Sequence, residues 1–324
     1  MRGRVTAVGG FFELETGRGG DLWHRGSVAL TSGRACLRAI LELTRPARVF
    51  VPFYICDAAL EPLRQLGIPF EFFSLTPSLD PATETWPADA GVLYVNYFDM
   101  KRGGAEHLAA ALGPRAIVDD TQAFFRRGRT GAWSFNSARK FFGVPDGAYM
   151  YGPRAGDVRP AAPNDGAPAA HLAARLTGNQ DLAYQQYVEA EAQVSADVRL
   201  PSRSASRLLD GLPYERVRTA RRRNFAQLHE RLAGMNMLSM DLTLDAEAAP
   251  FCYPFLPSRP SLHQALWQRQ IFAPRLWPEV ASRPGGPFTW ERDLAARLLP
   301  LPIDHRYGRE DMTRVTDAVL DIAA

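Results

Sequence analysis

Two lysines, Lys101 and Lys140, stand against 36 arginines in this chain. Lys140 lies in "WSFNSARKFFGVPDGAYM", three residues after Ser137 and among Phe135, Phe141, Phe142 and Val144. Gly143 and Gly147 keep the following chain free of bulk. Arginine replaces lysine wherever only charge is wanted, but a guanidinium cannot form a Schiff base with an aldehyde, so lysine is what amine chemistry requires. The competing reading is a surface charge left over from an arginine-biased composition. A second constellation is "IVDDTQAF". Asp119, with the amide of Gln122 three residues on, has the spacing to hold two edges of a flat heteroaromatic ligand; a turn-forming Asp pair explains the same residues. A third is "TSGRAC", where Ser32 and Gly33 precede a helical pattern. The N–H groups of Gly33, Arg34 and Ala35 would present a positive helix end to an anion, or Ser32 is an ordinary cap.

The surrounding pattern sets the elements that must position these residues. "VALTSGRACLRAILEL" turns helical, with Cys36, Leu37, Ile40 and Leu41 at helical spacing. "RVFVPFY" reads as a strand, "CDAALEPLRQLG" as a helix ending at Gly67, and "FEFFSL" as a strand. "GVLYVNYF" follows as a buried strand, "AEHLAAALG" as a helix ending at Gly113, and "AIVDD" as a short strand. Strands alternating with helices of this length predict a mainly parallel sheet covered by helices, an α/β fold. Such sheets bind ligands at the carboxyl ends of their strands, where all three constellations fall. Beyond Lys140, residues 153–170 are rich in Pro, Ala, Gly and Asp and read as an exposed loop. In the long helix that follows, Tyr214, Val217, Phe225, Leu228 and Leu232 line one face. Arg221, Arg222 and Arg223 read as a solvated opposite face. The pattern divides at about residue 210, with 1–210 as the large α/β part and 211–324 as a smaller α+β part.

With 46% hydrophobic and 23% charged residues and a net charge of +3, the chain predicts neither a nucleic-acid nor a membrane patch. Cys36, Cys56 and Cys252 are too few and too scattered for a disulfide framework or a metal site, which points to a reducing cytoplasm. The opening "MRGRVTAVGGFF" lacks the apolar core of a signal peptide, and no apolar run is long enough to span a bilayer. A nucleotide-binding Rossmann sheet would want a Gly-rich loop after its first strand, which is absent.

In this order, "SGRACL", "DDTQAF" and "SFNSARK" resemble the sugar aminotransferase family named DegT/DnrJ/EryC1/StrS, of the fold-type-I pyridoxal-phosphate enzymes. "VPFYICDAAL", "VNYFDM", "RLLDGLPYERVRTARRRNFAQL" and "LLPLPIDHRYGREDM" extend the resemblance over nearly the full chain. The lysine loop has one residue more than the family's commonest spacing, and the chain is shorter than most members. The resemblance implies pyridoxal 5'-phosphate as cofactor and transfer of an amino group from an amino acid such as glutamate to a nucleotide-linked keto sugar. It implies Lys140 as the covalent anchor and proton carrier, Asp119 on the pyridine nitrogen and Gln122 on the phenolic oxygen. Ser32, Gly33, Arg34, Ser137 and Ser134 would bind the phosphate. Arg199 matches an arginine that reaches the phosphate from a partner subunit, which goes with a homodimer. The ring-stacking aromatic falls near Tyr54 to Cys56, with Tyr54 as the candidate although the aligned column holds Cys56. Retention of lysine argues against the relatives that dehydrate sugars with histidine in its place. The alternative within the same fold is a cofactor-binding protein that has lost transamination and acts as a regulator or interaction partner.

Overall fold

The computed structural model of the protein describes residues 7–17, 19–259 and 262–323. The first six residues of the opening stretch therefore lie outside the described residues. The strands are β1 (Val8–Gly9), β2 (Val28–Leu30), β3 (Arg48–Pro52), β4 (Phe70–Phe73), β5 (Ala90–Val95), β6 (Ala116–Asp119), β7 (Trp133–Phe135), β8 (Ala148–Tyr151), β9 (Tyr253–Phe255), β10 (Ile271–Phe272) and β11 (Leu299–Leu301). The helices are α1 (Gly33–Thr44), α2 (Asp57–Gln65), α3 (Arg102–Leu112), α4 (Ala170–Leu176), α5 (Gln180–Ala192), α6 (Arg203–Leu209), α7 (Tyr214–Leu232), α8 (His263–Gln268), α9 (Thr289–Arg297) and α10 (Arg309–Ala323).

Seven strands form one sheet in the order β2-β8-β7-β6-β5-β3-β4. All of its strands run the same way except β8, which is antiparallel to both β2 and β7. Every residue of β5 and β6 is buried, as expected of central strands covered on both faces. The chain leaves β3 for the edge strand β4 and returns to the other side of β3 as β5. The order thus reverses there. The segments after β2, β3, β6 and β7 all emerge at the carboxyl edge of the sheet. They carry Ser32–Gly33, Cys56, Asp119–Thr121 and Ser137–Lys140.

The α1 helix starts where the sequence says it should. Ser32 is extended (φ −155°) and its Oγ accepts the Ala35 N–H at 3.1 Å. Cys36, Leu37, Ile40 and Leu41 bury the inner face, and Arg45 ends the helix in the left-handed region at φ 45°. Two smaller sheets complete the fold: β9 pairs antiparallel with β11, and β1 pairs parallel with β10. The N-terminal strand therefore belongs spatially with the C-terminal part. One contiguous apolar core runs from Val8 to Val319, and a second cluster of Phe124, Phe141, Phe142, Tyr214 and Val217 sits against the lysine loop. Among the described residues no helix is long and apolar enough to cross a membrane.

Of Arg221, Arg222 and Arg223 in α7, expected to form a solvated face, Arg223 is exposed and Arg222 half-buried, but Arg221 departs from the expectation. Arg221 is fully buried and donates to the carbonyls of Pro250, Phe251 and Phe141. Arg222 donates to the carbonyls of Asp245 and Ala248, and Arg223 to that of Tyr307. Main-chain oxygens at the ends of irregular segments are acceptors in need of donors, and the guanidinium fork supplies them.

Candidate active site

Lys140 ends a single helical turn over Ala138–Lys140 that follows β7. Its Nζ donates to Thr121 Oγ1 at 2.9 Å. The amide of Thr121 donates to Asp119 Oδ1 at 2.8 Å, so amine, hydroxyl and carboxylate lie in one short chain of contacts. Asp119 closes β6 and is buried. Burial raises its pKa above the usual carboxylate range, with the positive Lys140 and the Thr121 bonds opposing.

These groups line a cavity of about 1580 Å³ together with Ser32, Gly33, Arg34, Cys56 and Ser137. Its farther wall carries Phe11, Tyr187 and Trp277. Phe11 and Tyr187 stack with ring centroids 4.6 Å apart. The first-turn amides of α1, at Gly33 and Arg34, have no intrahelical acceptor and leave positive partial charge at the cavity edge. The Ser32 hydroxyl is already committed, accepting from Ala35 and donating to the Ser195 carbonyl at 3.2 Å. A Cβ at Gly33 would be tightly placed, 3.0 Å from Thr121 Cγ2 and 3.5 Å from the Phe135 ring, so a larger residue there needs Thr121 to give by a few tenths of an ångström.

Three of the expected residues, Tyr54, Ser134 and Gln122, are not on the cavity wall, and Arg199, expected to act from a partner subunit, does not line its own chain's cavity. The chain bends over 53–55, which turns Tyr54 into the core beside Tyr97 and Trp277 and brings Cys56 to the cavity. Burial pushes the Cys56 thiol pKa up, opposed by the charge of Lys140. Ser134 is buried within β7; Phe135, its neighbour, faces the cavity, and successive strand residues point to opposite faces. Gln122 is buried, with Oε1 accepting the Phe98 N–H at 2.9 Å and Nε2 left without a hydrogen-bond partner. Arg199 braces the start of α1 from within the same chain. Its carbonyl accepts the Thr31 N–H at 3.1 Å, and its guanidinium donates to the Pro163 carbonyl at 3.3 Å.

Two residues at this site escaped the sequence reading. Thr121 touches both Asp119 and Lys140. Arg221, read from the sequence as part of a solvated face, lies over the ring of Phe141, the residue after the lysine, at 4.5 Å.

Comparison with known proteins agrees with this architecture. No family model matches the chain, and no curated protein matches it in sequence. Solved structures do. A DegT DnrJ EryC1 StrS aminotransferase from Brucella abortus is 17% identical, with 94% of this chain and 87% of that chain covered at a TM-score of 0.64. The putative sugar aminotransferase Spr1654 from Streptococcus pneumoniae, in its PMP-form, is 11% identical, with 93% and 87% covered at a TM-score of 0.66. DesI, solved in the presence of its TDP-sugar product, is 19% identical, with 93% and 81% covered at 0.62. The chain has their fold. Coverage above nine-tenths of this chain means that the C-terminal part, as well as the seven-stranded sheet, follows the aminotransferase fold.

Proposed function

We propose that the protein is a pyridoxal-phosphate-dependent aminotransferase that moves an amino group from an amino acid, glutamate by preference, to a nucleotide-linked keto sugar. The observation that carries the reading is the convergence of the Lys140 amine, the Asp119 carboxylate and the α1 start on one cavity. The residues fit the cofactor in chemical kind. A carboxylate in a buried setting suits a pyridinium nitrogen, and free helix-start amides suit a phosphate. When bound, pyridoxal phosphate supplies an aldehyde that condenses with amines and a ring that withdraws electrons from the adjoining carbon.

In this reading Lys140 holds the cofactor covalently and then, once freed, carries the proton between substrate carbon and cofactor. Asp119 keeps the ring nitrogen protonated. Gly33, Arg34 and Ser137 hold the phosphate, and Cys56 occupies the wall where an aromatic was expected. Residues 1–210 form the cofactor-binding part and 211–324 the smaller part. The protein acts as a homodimer in the cytoplasm, a state supported by the exposed apolar side chains of Leu176, Leu182, Tyr184 and Val188 on and beside α4 and α5.

The test is spectroscopic. Wild type with pyridoxal phosphate is expected to show a visible absorption band that Lys140→Ala lacks, and borohydride is expected to fix the cofactor mass to the peptide containing Lys140. A wild type without the band sinks the reading. A band without amine transfer to any keto sugar, followed by mass spectrometry, would favour a binding protein of the same fold.

A further inference from the structure

We propose that Thr121 is a positioning residue whose hydroxyl holds the Lys140 amine beside Asp119 whenever that amine is not covalently engaged. The proposal rests on the reading above only in treating Lys140 as the reactive amine.

The two lysines of the chain are held in opposite ways. Lys101 donates to the Asp80 carboxylate at 2.6 Å, the partner that suits a permanent charge. Among the described residues the Lys140 amine has one hydrogen-bond partner, the neutral Thr121 hydroxyl at 2.9 Å, and no carboxylate is ion-paired with it. A hydroxyl can accept from an ammonium and donate to a neutral amine, so the contact survives a change of protonation state. A carboxylate can only accept. An amine that must alternate between the two states is better served by the hydroxyl.

Thr121 is fixed on its other sides. Its amide is tied to Asp119 Oδ1 at 2.8 Å, and its methyl group fills the space that a Cβ on Gly33 would need, 3.0 Å away. The side chain is buried, and β-branching stiffens χ1. With amide and methyl both held, the hydroxyl points one way, toward Lys140. Valine would keep the shape and remove only the hydroxyl. Serine would keep the hydroxyl and remove only the methyl group.

Because the chain has only two lysines, amine labelling reads the contact directly. The full chain without cofactor would be exposed to a limiting amount of an amine-acylating reagent at one fixed pH, and the labelling rates of Lys140 and Lys101 compared by peptide mass spectrometry. Thr121→Val is expected to raise the Lys140 to Lys101 rate ratio about fivefold, the population change that loss of one ordinary hydrogen bond produces. Thr121→Ser is expected to keep the wild-type ratio. A wild-type ratio in Thr121→Val overturns the proposal, because the methyl packing would then be the whole role. Should Thr121→Val also speed labelling of Lys101, the fold has loosened and Thr121→Ser decides: a wild-type ratio supports the proposal and a raised one overturns it. Adding pyridoxal phosphate before the reagent separates the two readings. Failure to protect Lys140 would count against the cofactor while leaving the Thr121 result standing.

Discussion

Asp119 costs the fold stability. A carboxylate whose pKa is raised by burial is less favourable in the native chain than in water wherever it carries charge, and the pull of Lys140 only partly offsets this. Asparagine keeps an oxygen for the Thr121 amide and removes the charge. Asp119→Asn is therefore expected to abolish amine transfer while raising the melting temperature by about 2 °C, for roughly 1 kcal/mol regained. A lower melting temperature by scanning calorimetry would mean that the carboxylate is a structural acceptor first. Asp119 and Lys140 stood out in the sequence by residue type and setting, and the structure brings both to one cavity. Thr121 did not stand out, since a threonine two residues past a strand end has many ordinary uses. Tyr54 was misplaced for a different reason. The bend over 53–55 reorients side chains, and no periodicity carries through it.

At the scale of elements, α7 shows how an amphipathic pattern can mislead. Strands and helices of the first 120 residues were readable because the helices bury one face at helical spacing, the central strands are continuous apolar runs, and Gly67 and Gly113 end their helices at positive φ. "RRRNF" invites a solvated reading because charge ordinarily means water. Yet Arg221 falls four residues after Val217 and four before Phe225, both buried, which puts it on the apolar stripe. Burial pushes its pKa down to about 10, opposed chiefly by Asp304, so it stays charged at neutral pH, with carbonyls accepting from its terminal nitrogens, the Phe141 ring beside it, and Nε without a hydrogen-bond partner. Arg221→Met would leave the carbonyls of Pro250, Phe251 and Phe141 without this donor. The expected loss is about 3 kcal/mol, read as a lower urea midpoint. Because Phe141 adjoins Lys140, the same variant is expected to label faster at Lys140. An unchanged midpoint would show that the buried charge costs as much as its bonds return.

The molecule as a whole is closed by its N-terminal segment, which the sequence pattern left undefined. From β1 beside β10 the chain crosses the lysine loop, where the Glu15 N–H donates to the Gly143 carbonyl at 2.9 Å. A Cβ on Gly143 would lie 1.6 Å from the Glu13 carbonyl oxygen, so the glycine read as absence of bulk is what admits this crossing. The crossing is held to the C-terminal part by charge. Arg306 bonds Glu13 at 2.8 Å and Asp304 at 2.7 Å, and lies 4.3 Å over the Phe12 ring. Burial pushes both carboxyls up, but Arg306 outweighs it and holds each below its ordinary value of 4.5 or 3.8. Depressed native pKa values give stability that is fully present above those ordinary values and is lost as the pH falls through the native ones. Wild type is therefore expected to lose melting temperature steeply below about pH 4. Arg306→Met should be less stable by about 3 kcal/mol at neutral pH and lose less on acidification, since its carboxyls no longer need to be ionised. Melting temperatures measured from pH 7 to pH 3 decide it. Parallel curves for the two proteins would mean that the acid sensitivity lies elsewhere and that packing alone holds the N-terminal segment across the lysine loop.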